Sequence, residues 1–170
     1  MAEIVRREVT EAEELGVARE LMRAYGAYLA ANPAGAASIC LQGYEQELEG
    51  LPGVYGAPSG VVLVAWVDGA AAGCTAVKPL KAMGAAAGER GCELKRLWVG
   101  NGFRGLRLGR RLMEEAMEWA RRVGYGAMYL DTVPAAMPEA NALYAALGFE
   151  RVQRYNDNPV ADVVFFRRGL

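Results

Sequence analysis

A chain of 170 residues with a formal charge of −1, 53% apolar and 23% charged, has the composition of an ordinary soluble globular protein. So small a net charge sets up no global field toward nucleic acid or acidic membrane, so any preference for anions has to be local. Histidine is absent, which removes Ser-His-Asp and Cys-His catalysis, imidazole metal sites and histidine bases together. The N-terminus, Met-Ala-Glu-Ile-Val-Arg-Arg-Glu, lacks the apolar stretch of a signal peptide, and the longest apolar run, 61–67, is far too short to cross a bilayer. A cytoplasmic protein without membrane or nucleic-acid partners is expected.

Residues 3–9 alternate enough for a first strand. Thr10-Glu-Ala-Glu13 has the form of a capping box, and Leu15, Ala18, Leu21 or Met22, Tyr25 and Leu29 then recur at helical spacing until Pro33 and Gly35. A weaker stripe, Leu41, Tyr44, Glu45 and Leu48, predicts a second helix within 38–51, and the Pro/Gly-rich 52–60 a loop. Runs 61–67 and 70–79 flank Asp68-Gly69, which predicts a hairpin closed by a tight I′ turn. Residues 80–91, rich in Ala and Gly, are read as a flexible connection to a strand over 92–99. Leu108, Leu112, Ala116, Trp119 and Val123 form the core stripe of the next helix, closed by Gly124. A strand over 127–132 follows, then a helix over 138–147 begun by proline and stopped by Gly148. Strands over 149–155 and 161–168, joined by Asn156-Asp-Asn-Pro159, complete the chain. The order predicts one α/β domain over 1–170, a mixed sheet flanked by helices.

Cys40, Cys74 and Cys92 are odd in number and far apart, so neither a zinc site nor a disulfide framework is expected, and no metal is called for. Cys92 is expected to be a small buried hydrophobe. The basic residues are lopsided, arginine everywhere except Lys78, Lys81 and Lys95, as a GC-rich genome would produce.

Most of the chemistry lies in 92–112. Arg104, Arg107, Arg110 and Arg111 crowd the start of a helix, where the macrodipole disfavours cations, and Glu114, Glu115 and Glu118 come only afterwards. A strand, a glycine-punctuated turn and a helix start make a phosphate cradle, and the arginines make sense beside an anion held there. A solvated basic face with the pairs Arg110–Glu114 and Arg111–Glu115 is the plainer alternative.

These residues resemble the GNAT superfamily of acetyl-CoA-dependent N-acetyltransferases, most strongly over 92–150. Arg104-Gly-Leu-Arg-Leu-Gly109 resembles the family's pyrophosphate loop, (Gln/Arg)-x-x-Gly-x-(Gly/Ala). Glu93 lies where many members carry a general-base glutamate, and Asn141-x-x-Tyr144-x-x-x-Gly148-Phe149 resembles the late helix whose tyrosine protonates the departing thiolate. The resemblance implies a mostly antiparallel sheet of about six to seven strands flanked by about four helices. It implies acetyl-CoA as acetyl donor, bound by Leu97, Trp98, Val99, Arg104, Gly105, Leu106, Arg107, Leu108, Gly109, Arg110 and Asn141. A strand N–H near Val99 would polarise the carbonyl. Arg107 departs from the pattern, standing where the first glycine is wanted. A helical backbone there would make the substitution harmless, and that is the expectation adopted.

An unperturbed glutamate, pKa about 4.3, is a weak base for an amine of pKa about 10, a gap of roughly 8 kcal/mol. Glu93 as base therefore requires shifted pKa values or a relay through water, and its structural alternative is an ion pair with Lys95 or Arg96, or an exposed strand face. Tyr144 is protonated at neutral pH and suits the acid role, against the alternative of a core tyrosine bonded to a carbonyl. Acceptor contacts are expected from Tyr25, Tyr28, Tyr44, Tyr55, Glu45, Glu47 and Tyr155–Asn158, most of the tyrosines serving for packing. With no basic groove or long acidic stripe, a small primary amine is the expected acceptor, and a homodimer is compatible. Three alternatives stay open: an acetyl-CoA-binding or degenerate regulatory module, a peptide lysine or N-terminal acetyltransferase, and a dinucleotide fold suggested by Gly100-Asn-Gly-Phe-Arg-Gly105 and Asp131.

Overall fold

The computed structural model describes residues 1–36, 41–81 and 88–170. Among them, seven strands form one sheet: β1 Ile4–Glu8, β2 Val61–Val67, β3 Ala70–Pro79, β4 Gly91–Val99, β5 Ala127–Thr132, β6 Glu150–Val152 and β7 Val164–Gly169, in the order β1-β2-β3-β4-β5-β7-β6. Helices α1 Ala12–Ala31, α2 Pro33–Ala36, α3 Leu41–Glu49, α4 Leu108–Val123 and α5 Pro138–Ala146 flank it. Every strand pair is antiparallel except β4 with β5. This is the mixed, mostly antiparallel sheet expected, and it excludes the dinucleotide reading, which needs a parallel doubly wound sheet.

Apolar residues of β2, β3 and β4 divide between two cores. Leu63, Val77, Leu94 and Leu97 pack with Leu112, Met113, Ala116 and Trp119 of α4 and with Tyr144 of α5. Val62, Val64, Cys74 and Trp98 pack on the other face with Ala18 and Met22 of α1 and Tyr44 and Leu48 of α3. The hairpin turn has Asp68 at φ 48 and Gly69 at φ 81, the positive angles a I′ turn demands.

Several boundaries differ from expectation. No capping box forms at Thr10: the helix N-cap is Glu11 without a side-chain cap, and the Thr10 hydroxyl lies beside Glu11 instead. Of the strand expected over 149–155 only Glu150–Val152 pairs, and the last strand begins at Val164. The cause is local: Asn156 Oδ1 accepts from the Asn158 amide at 3.1 Å and Asn158 Oδ1 from the Val160 amide at 3.0 Å. Two successive Asx turns draw the chain out of the ladder. Cys40, the start of the second helix's expected span and half of the connection over 80–91 lie outside the described residues.

The site is prepared by β4. The β3–β4 register passes from Cys74 opposite Trp98 to Ala76 opposite Lys95, and Arg96 sits at φ 61. This β-bulge sends neighbouring Lys95 and Arg96 to the same face, Lys95 to Asp131 of β5 and Arg96 to Glu47 of α3. Beyond the bonded pairs Gly91–Glu93 and Ala127–Tyr129, β4 and β5 no longer pair. The sheet is split there.

Candidate active site

Where β4 ends, Gly100 is tied to Ala72 by a backbone hydrogen bond of 2.9 Å, and Phe103, Leu106 and Leu108 pack with Val67 and Ala72. The turn is therefore pinned by apolar side chains, and it borders a cleft of about 330 Å³. Leu97, Trp98, Val99, Arg104, Gly105, Arg107, Leu108 and Gly109 line this cleft with Ala140 and Leu143 of α5. The first turn of α4 has no acidic residue and no side-chain cap, which leaves its amides available to an anion. Arg110 pairs with Glu114 at 3.4 Å, as expected, whereas Glu115 turns to Arg6 at 3.8 Å rather than to Arg111. Arg104 and Glu139 stand 3.9 Å apart, both exposed.

Three of the expected cofactor residues do not line this cleft. Leu106 is held in the apolar cluster, Arg110 leans along α4, and the Asn141 amide donates to the Met137 carbonyl at 3.0 Å, back along its own helix. Arg107 also departs from expectation. It is the N-cap of α4 at φ 57, ψ 26, left-handed and not helical. A non-glycine residue there carries about 1 kcal/mol of strain. Arg107→Gly should therefore raise the thermal midpoint by about 2–4 °C and Arg107→Ala should not, as calorimetric melts would show. A glycine variant less stable than the alanine variant would contradict this account of the turn.

Between the parting strands runs a slot of about 100 Å³, lined by Leu94–Leu97 of β4, Leu130–Val133, Tyr25 and Leu29 of α1, and Tyr144. It includes side chains from both faces of the sheet, so it passes through the split, and it shares Leu97 and Met137 with the first cleft. Tyr144 buries its ring against Phe149 and Phe166, at centroid distances of 6.2 and 6.0 Å. Its hydroxyl has no hydrogen-bond partner among the described residues, so it is not the carbonyl-bonded core tyrosine of the alternative reading. Burial pushes its pKa up, keeping it protonated.

On the α1 side, the slot meets a second cleft of about 410 Å³ through Lys95. Glu93, 4% exposed, lines this cleft. Its carboxylate takes Lys95 at 3.2 Å, Lys78 at 3.4 Å, the Tyr155 hydroxyl at 3.0 Å and the Asn156 amide at 3.2 Å. Arg96, the other expected partner of Glu93, pairs instead with Glu47 through bonds of 2.8 and 2.7 Å. Tyr44 and Tyr55 are packing residues, donating to the Met22 carbonyl at 2.5 Å and to Glu47 at 2.8 Å, and Tyr28 packs against Trp98 with the rings tilted by 46°.

Asp131 is the centre that sequence reasoning did not place in the site. It accepts from Lys95 at 2.9 Å, Asn156 at 2.8 Å and Asn158 at 3.1 Å. Burial would raise its pKa, but the Lys95 ammonium and these hydrogen bonds outweigh burial and hold it below the usual value. Its stabilisation is therefore full above the unfolded pKa of about 3.9 and lost as pH falls through the lower folded value. Asp131→Asn should cost about 3 kcal/mol at pH 7, a gap that closes below about pH 4 in urea titrations. Burial disfavours the Lys95 ammonium, yet Glu93 and Asp131 outweigh that and raise its pKa, so Lys95 stays charged. The Cys74 and Cys92 thiols are buried, and burial pushes each up to about 12. Neither is a nucleophile at neutral pH.

The family model described as "Acetyltransferase (GNAT) family" matches residues 36–149. This chain belongs to the GNAT acetyltransferase family. An uncharacterized N-acetyltransferase of Schizosaccharomyces pombe is 38% identical over 130 residues, 76% of each chain. Among solved structures, this GNAT chain is similar to a GNAT-family acetyltransferase from Staphylococcus aureus Mu50, with TM-score 0.76, 18% identity and 98% and 99% of the two chains covered. It also shares the fold of yncA, a putative acetyltransferase from Salmonella typhimurium solved with acetyl-CoA, with TM-score 0.69, 16% identity and coverage of 98% and 93%. The protein is thus an enzyme of the acyltransferase class, and no helix among its described residues is long and apolar enough to cross a membrane.

Proposed function

We propose that this enzyme moves the acetyl group of acetyl-CoA directly to the primary amine of a small molecule. The observation that carries the reading is the slot through the split sheet, which joins an anion-ready cleft at α4 to a charged cleft on the opposite face. The α4 side fits acetyl-CoA: uncapped first-turn amides and Arg104 and Arg107 suit a pyrophosphate, and Leu97, Val99, Ala140 and Leu143 suit the thin pantetheine arm. The yncA structure, solved with acetyl-CoA, supports the same donor.

Acetyl-CoA supplies an activated thioester. In this reading the amine enters by the Glu93 cleft and its nitrogen bonds to the acetyl carbon as the carbon–sulfur bond breaks. The amine proton leaves through water to Glu93, and Tyr144 gives its proton to the sulfur. The raised thiols of Cys74 and Cys92 support direct transfer rather than an acetyl-cysteine. Glu93→Gln should lower turnover at least tenfold with acetyl-CoA affinity retained, since a base acts on the transition state. The decisive experiment is a thiol-release screen over small amines and lysine peptides with an acetyl-CoA-only control. Turnover of small amines is the expected result. Turnover confined to peptides would replace the small-molecule reading, and binding without turnover would make the protein a regulatory module.

A further inference from the structure

All three lysines of the chain, Lys78, Lys81 and Lys95, line the same cleft of about 410 Å³, although arginine supplies every other basic side chain. The acids lining that cleft are Glu93 and Asp157. Lys95 is already engaged, at 2.9 Å from Asp131 and 3.2 Å from Glu93. Lys78 reaches Glu93 only at 3.4 Å, and Lys81 is exposed with no ion pair among the described residues. Lys78 therefore shares Glu93 with Lys95, and Lys81 is the lysine of this cleft that no acid engages among the described residues. Val54 is 61% exposed, and Val54, Pro79 and Leu80 give the cleft an apolar wall.

The arrangement has a direction. Lys95 lies at the mouth of the slot that holds Tyr144. Lys78 stands opposite Glu93, two residues behind Lys95 along β4, about 7 Å at strand spacing. Pro79 stands opposite Cys92, so the chain runs on from Lys78 to Lys81 away from the slot.

Resting on the acetyltransferase reading above, we infer that the acceptor is an amine that also carries a carboxylate, an amino-acid-like molecule. Its nitrogen sits at the slot mouth near Lys95. Its carboxylate is held by Lys78 and Lys81, and its side chain lies on Val54 and Leu80. Lysine suits this task, because a compact ammonium with rotatable donors follows a small carboxylate. A polyamine, all cation, gains nothing from Lys78 and Lys81, and neither does a plain amine.

The test compares matched acceptors in a thiol-release assay: leucine, leucinamide and 3-methylbutylamine, then phenylalanine and phenethylamine. The expected kcat/KM is at least about tenfold higher for each amino acid than for its amide or decarboxylated partner, the size of one charge-assisted bond. Lys78→Gln and Lys81→Gln should each bring that ratio toward one, chiefly through KM. Amides or plain amines used as well as the amino acids would overturn this inference and leave the small-amine reading standing. So would a ratio unchanged in both lysine variants. Silence of every small amine would overturn both.

Discussion

Tyr144→Phe should lower turnover by about a hundredfold while leaving acetyl-CoA affinity within about twofold of wild type. The hydroxyl lies in a buried setting with no partner among the described residues, and it lines the slot between the split strands. Removing it orphans nothing in the core, because the ring keeps its contacts with Phe149 and Phe166. What is lost is a proton for the leaving sulfur, and general-acid catalysis contributes 10²–10⁴-fold. The measurement is steady-state thiol release beside calorimetric binding. A full-speed phenylalanine variant would transfer the acid role to water, and a variant that lost affinity and turnover together would make Tyr144 a binding residue.

Gly109→Glu should abolish measurable acetyl-CoA binding in a protein that still folds. A Cβ on Gly109 meets Leu143 Cδ2 at 3.4 Å, an ordinary contact, so the variant does not clash at that atom. The added carboxylate would stand in the first turn of α4, among the amides proposed to hold the pyrophosphate. Repulsion between like charges in a partly dry cleft weakens binding by several tens-fold or more. Calorimetry on the folded variant gives the answer. Unchanged affinity would move the pyrophosphate away from this helix.

Much of the fold was legible because its elements carry their own period: the Asp68-Gly69 hairpin, the α4 stripe closed by Gly124, and β5 behave as the pattern predicts. The short β6 was not, because side-chain bonds of Asn156 and Asn158 outcompete strand pairing. Site residues divide the same way. Glu93 and Tyr144 were singled out through resemblance, and the 104–109 turn first from its arginines; all of them line clefts, yet the left-handed Arg107 contradicts the helical backbone assumed for it. The bulge had a signal in plain view. In Glu93-Leu-Lys-Arg-Leu-Trp-Val the alternation slips by one residue at Lys95-Arg96, the mark of an extra residue in a strand. Asp131 was singled out only for the dinucleotide alternative, and its role here carried no local signal, since its partners come from residues 95, 156 and 158 and meet it only in the folded sheet.

The central claim is direct transfer of acetyl from acetyl-CoA to a small amine through the split sheet. It is tested most directly by mixing the protein with acetyl-labelled acetyl-CoA and an equimolar panel of small amines. Mass spectrometry then locates the label while released thiol is counted. The account predicts label on the nitrogen of a small amine, one thiol for each product, and none retained on the protein. Thiol release no greater than with acetyl-CoA alone, or label accumulating on a cysteine that then passes it on, would contradict it.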